Sequence, residues 1–115
     1  MKYLLLQYAN ETQMTSLPRE EAMQVHGAYM AYVEAMKKAG VFLANSGLRP
    51  TSEATTLRVV NGKQSVVNGP FAETKEQLGG YFLIDVPDLD AALSWAVRNP
   101  SVQYGSSIEV RPVWE

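Results

Sequence analysis

Two stretches of this chain, Tyr3-Leu4-Leu5-Leu6-Gln7-Tyr8 and Tyr81-Phe82-Leu83-Ile84-Asp85-Val86, are largely apolar in both alternating registers. Successive side chains of a strand point to opposite faces, so each of these reads as a strand that needs cover on both sides. A sheet with one face in water does not meet that demand. The rest of the chain has to be read for what could supply the two covers.

The first cover is helical. Pro18 to Ala39 carries apolar residues at Ala22, Val25, Tyr29, Tyr32, Val33, Met36 and Ala39, the spacing of one buried stripe, and His26 falls within it. Ser16 or Thr15 can cap this helix, Glu20 and Glu21 suit its positive end, and Gly40 closes it after Lys37 and Lys38. A second helix runs from about Leu89 to Arg98, capped by Asp88 and stopped at Asn99-Pro100.

Between these lie a polar connection at Asn10–Thr15, a short strand at Val41–Ala44 and a loop from Asn45 to Pro50. Thr55–Val60, Asn61-Gly62 and Lys63–Val67 form a β-hairpin around the preferred two-residue turn, and Ser107–Val113 is a last strand with Pro112 at its edge or end. The order is strand, helix, strand, hairpin, strand, helix, strand. With right-handed crossovers this predicts an α+β fold, a ferredoxin-like sheet with an inserted β-hairpin and both helices on one face. The chain's 115 residues make one domain, 1–115, so the second face needs a second copy. The expectation is a homodimer whose two sheets close into an α/β barrel.

One stretch stands out from this patterning: Asn68-Gly69-Pro70-Phe71-Ala72-Glu73-Thr74-Lys75-Glu76-Gln77-Leu78-Gly79-Gly80-Tyr81. Asn68-Gly69 tolerates left-handed backbone and Pro70 stiffens the chain beside it, which gives a sharp bend with Phe71 as its anchor in the core. Thr74 to Gln77 reads as one helical turn with Thr74 as cap, ended by Gly79-Gly80 before the next strand. A rigid loop of this kind can hold polar groups for a ligand, or it can be a structural corner only.

The stretch resembles the D-G-P-F-A-E-T-K-E signature of the DGPF group within the YCII-related proteins, and the resemblance extends over almost the whole chain. It implies a dimeric ferredoxin-like α/β barrel. It also implies a His and Asp pair acting as general acid and base beside the sheet. The family's His position falls on Tyr29, with His26 one turn earlier, and its Asp falls on Asn68, whose amide cannot serve as a base. The candidate catalytic residues are therefore His26, Tyr29 and Asn68, with Phe71, Glu73 and Tyr81 as candidate ligand contacts. His26 reads also, and more simply, as a core imidazole bonded to a backbone carbonyl, and the aromatic residues as plain core.

Charge and composition exclude several classes. A formal net charge of −2 with scattered Lys and Arg gives no footprint for nucleic acid, and no apolar run is long enough to span a membrane. Without cysteine and with a single histidine, the sequence offers no thiol nucleophile, no zinc site and no cofactor motif. Met1-Lys2 leads directly into a strand without a signal-peptide pattern, so a cytoplasmic protein is expected. Three functions stay open: a small-molecule enzyme of acid and base type, a non-catalytic ligand-binding or regulatory module, and a purely structural dimer. The resemblance links the second to sigma-factor regulation.

Overall fold

In the computed structural model, which describes residues 1–115, the two doubly apolar stretches lie side by side at the centre of one sheet. In chain order the elements are β1 (Lys2–Ala9), α1 (Glu11–Thr15), α2 (Arg19–Lys38), β2 (Phe42–Gly47), β3 (Thr55–Val60), β4 (Lys63–Asn68), β5 (Gln77–Asp85), α3 (Leu89–Ala96) and β6 (Ser107–Pro112). Short 3₁₀ turns occupy Thr51–Glu53 and Pro100–Tyr104. The main sheet has the order β2-β5-β1-β6 with every neighbour antiparallel, the ferredoxin-like arrangement. β3 and β4 form a two-stranded sheet of their own.

Register decides which face is covered. Tyr3 stands opposite Ile84 and Leu5 opposite Phe82, and these four side chains meet Tyr32 and Met36 of α2 and Ala92 and Ala96 of α3 in the core. Both long helices thus cover the same face. Tyr32 packs edge-on to Phe82 at 5.2 Å between ring centroids and donates its hydroxyl to the Trp95 carbonyl at 2.7 Å, which ties α2 to α3. On the opposite face Leu4 pairs with Leu83 and Leu6 with Tyr81, and no element of the chain lies over them. The molecule is a slab of 48 × 41 × 18 Å.

Several local expectations give way. Asn10–Thr15 is helical rather than a plain connection, because Asn10 Oδ1 accepts from the Gln13 amide at 3.1 Å and so caps α1. β2 continues through Asn45, Ser46 and Gly47, since these turn-prone residues pair with Phe82, Tyr81 and Gly80 of β5 and satisfy their backbone there. Thr74–Gln77 makes no helical turn. Gln77 instead opens β5, and its side-chain amide donates to the Thr74 carbonyl.

Gly79 and Gly80 lie inside β5 rather than before it, beside a register shift at Gln7/Tyr8. A Cβ on Gly80 would stand 2.9 Å from the Ser46 carbonyl oxygen, so the β2 backbone requires glycine there. Gly80→Ala is expected to destabilise the fold by about 1–3 kcal/mol in urea unfolding, whereas Gly79→Ala, with no atom in the way, should stay within about 0.5 kcal/mol. Equal effects would contradict this packing.

The hairpin turn agrees with expectation, with Asn61 at φ 52° and Gly62 at φ 78°. Its apolar residues, Leu57, Val59, Val60, Val66 and Val67, are nevertheless all exposed. Phe71 is 77% exposed and does not anchor the bend in the core. The bend is held by backbone instead, with the Gly69 amide donating to the Ala54 carbonyl at 2.7 Å and Thr56 Oγ1 to the Gly69 carbonyl at 2.8 Å.

Candidate functional site

The largest concavity, about 690 Å³, lies on the helix side of the sheet, under one flank of α2 and open toward α1 and the end of β2. Local geometry creates it. α2 buries Val25, Tyr32 and Met36, and the neighbouring line His26, Met30, Val33 and Lys37 overhangs the cavity, with Val33 packed against the edge of the core and Lys37 Nζ 5.3 Å from the centroid of the Phe42 ring. The floor is Gln7, Gly80 and Phe82. α1 forms the far wall through Met14. That wall is tied down because the Glu11 carboxylate accepts from the Thr51 amide and hydroxyl, both at 2.8 Å, and the Glu11 amide donates to Gln77 Oε1 at 3.0 Å.

At its inner end the cavity meets a polar cluster spanning three elements. Tyr29 Oη lies 3.0 Å from Gln7 Oε1, and Asn99 Nδ2 donates to the same oxygen at 3.0 Å. Asn99 Oδ1 accepts from the amide and hydroxyl of Ser101, at 2.9 and 2.8 Å. Asn99 and Ser101 are almost wholly buried, at 2% and 0% exposure. Burial raises the pKa of the Tyr29 phenol above its ordinary value. Burial also raises that of Tyr32, opposed by the charge of Arg98. Both remain neutral phenols in the neutral range, so Tyr29 is a poor proton acceptor there.

Of the residues singled out from sequence, His26, Tyr29 and Tyr81 border this cavity, and Asn68, Phe71 and Glu73 do not. His26 is exposed rather than inside the buried stripe; it sits one position past Val25, on the overhanging flank. Tyr81 pairs with Leu6, so strand alternation turns its side chain to the uncovered face and leaves its backbone on the cavity side. Asn68 is the last residue of β4, opposite Thr55 at the hairpin base, and is exposed. Glu73 is exposed as well. Gln7, Asn99 and Ser101 are not among the residues the sequence points to. A lone Gln in an otherwise apolar strand is the one available signal for the first, and the two others are brought in only by tertiary packing.

The sheet order and the helix-side cavity define a ferredoxin-like α+β protein with room for a small molecule. The chain belongs to the YCII-related domain family, whose model matches residues 1–115. An uncharacterised protein of Rhizobium meliloti (strain 1021) is 40% identical over 117 residues, covering 98% of this chain and 92% of the relative. Among solved structures, 5-chloro-2-hydroxyhydroquinone dehydrochlorinase of Burkholderia phenoliruptrix AC1100, in complex with 2,5-dihydroxybenzoquinone, shares the fold at a TM-score of 0.57 and 15% identity, covering 100% of this chain and 94% of that one. No helix of the chain is long and apolar enough to cross a membrane.

Proposed function

We propose that this protein, a member of the DGPF group of its family, binds a small cyclic organic molecule in the cavity beneath α2, with His26 as the group that exchanges a proton with it. The observation that carries this is the placement of the chain's single imidazole on the rim of its largest concavity, beside apolar walls and a fixed polar end. The similarity in fold to a dehydrochlorinase holding a quinone supports a flat oxygenated ring as the ligand.

A second reading, binding without catalysis, is favoured by one feature: His26 has no carboxylate partner, the chain's two ion pairs being Met1–Asp85 and Arg49–Glu53. Assembly is part of the proposal. Leu4, Leu6, Tyr8, Leu78 and Leu83 leave an apolar sheet face half-exposed, and a second copy laid face to face would bury it and complete a dimeric barrel, with the hairpin inserted outside the main sheet.

The test is a thermal-shift and turnover screen of hydroxylated benzenes and quinones against wild type and His26→Gln. A ligand at about ten times its dissociation constant should raise the wild-type melting temperature by roughly 5 °C. Turnover that is present in wild type and absent in His26→Gln supports the catalytic reading. Stabilisation without turnover supports binding alone, and no stabilisation by any compound contradicts both.

A further inference from the structure

Resting on the cavity's proposed role as a small-molecule site, we infer that Gln7 is its specificity-determining hydrogen-bond donor, held in one orientation by a buried relay, and that the ligand therefore presents an acceptor oxygen such as a carbonyl. The orientation of the Gln7 amide is set by a backbone group whose polarity is not in question. The Ser101 N–H can only donate, so the Asn99 atom 2.9 Å from it is the carbonyl oxygen Oδ1. Asn99 must then present its Nδ2 on the other side. Nδ2 can only donate, so the Gln7 atom 3.0 Å away is Oε1.

The same oxygen lies 3.0 Å from Tyr29 Oη, and since Oε1 can only accept, the Tyr29 proton is committed to it. With Oε1 engaged twice, Gln7 Nε2 is left with two N–H donors and no partner in the chain. Nε2 is not sealed in the protein, because Ser106 Oγ is the sole buried side-chain nitrogen or oxygen without a partner. Gln7 lines the cavity floor, so that is where an unpartnered donor on it is useful.

The surroundings complete the ligand class. Tyr29 and Phe82 stack at 6.4 Å between centroids with an interplanar angle of 14° beside Gln7, and Met14, Met30 and Val33 provide the rest of the wall. A ring or short apolar body fits those walls, and its acceptor oxygen meets Nε2. A ligand lacking that oxygen leaves a desolvated donor unpaired, which is the stronger form of discrimination. Asn99 and Tyr29 act here as positioning residues.

Acetophenone and ethylbenzene, near-isosteric and differing at a carbonyl, are the probes. In titrations followed by NMR, acetophenone should shift the Gln7 side-chain amide signals and the Met14 and Met30 methyls. Ethylbenzene should shift the methyls alone. Gln7→Glu keeps an oxygen to accept from Tyr29 and Asn99 and removes the donor, so it should weaken acetophenone about tenfold and leave ethylbenzene nearly unchanged. Tyr29→Phe, which leaves the fold's apolar contacts in place, should narrow the separation of the two Gln7 amide proton signals as the side chain is freed. Acetophenone moving the methyls without the Gln7 amide would overturn the inference and leave the cavity's role standing. Methyls that respond to neither probe would overturn both.

Discussion

Leu6→Asp is expected to turn a dimer into a monomer, raising the dissociation constant by at least about a thousandfold. Leu6 sits at the centre of the uncovered sheet face, paired with Tyr81 on one side and Glu109 on the other. Burial of a leucine is worth about 1.5–3 kcal/mol, and a carboxylate placed in an apolar interface adds several more in cost, while each 1.4 kcal/mol is roughly tenfold in affinity. The fold should survive, because the helix-covered face is untouched. Met23→Asp, on an exposed side of α2, is the control and should leave assembly unchanged. Sedimentation at micromolar concentration decides: a wild-type monomer would remove the dimer from the account.

Leu5→Ala is expected to have the largest effect on folding itself, about 2–5 kcal/mol against a total of roughly 5–15. Leu5 is 0% exposed and lies between Phe82 and Val110 on the covered face, so removal of its isobutyl group leaves a void that two strands and two helices would have to close. Ile84→Val, at an equally buried position, removes one methylene and should cost about 0.5–1.5 kcal/mol. Urea midpoints with unchanged slopes give both numbers. A Leu5→Ala cost no greater than that of Ile84→Val would show that the centre of this core is looser than its packing implies.

Much of the fold is legible in the sequence because its determinants are local. The doubly apolar strands at Tyr3 and Tyr81, the stripe Val25-Tyr32-Met36 and the Asn61-Gly62 turn each act through neighbours in sequence. The illegible parts depend on distant partners. Asn45-Ser46-Gly47 has loop composition and becomes strand only because β5 offers it a ladder, and Gly79-Gly80 has the composition of a break until the Ser46 carbonyl is seen against it. Phe71 suits a core anchor on hydrophobicity alone, yet within one chain it stays largely exposed. α1 has a readable signal, Asn10 with Gln13 three residues on, and the polar composition around it outweighs that signal.

The candidate site divides the same way. His26 and Tyr29 are identifiable from the helix and do border the cavity, whereas the motif that singles out Asn68 and Phe71 lies at the hairpin base. The polar relay is hidden in the sequence because Gln7 and Asn99 are 92 residues apart and meet only when β1 is next to the turn after α3.

The central claim, that ligands enter beneath α2 rather than at the Asn68–Phe71 loop, is tested most directly by a methyl- and aromatic-resolved NMR titration with the best compound from the quinone and hydroxybenzene screen. The account predicts shifts at Met14, Met30, Val33 and the His26 ring, with Phe71, Val66 and Val67 unmoved. Shifts confined to Phe71 and the hairpin valines, with Met14 and Met30 silent, would contradict it.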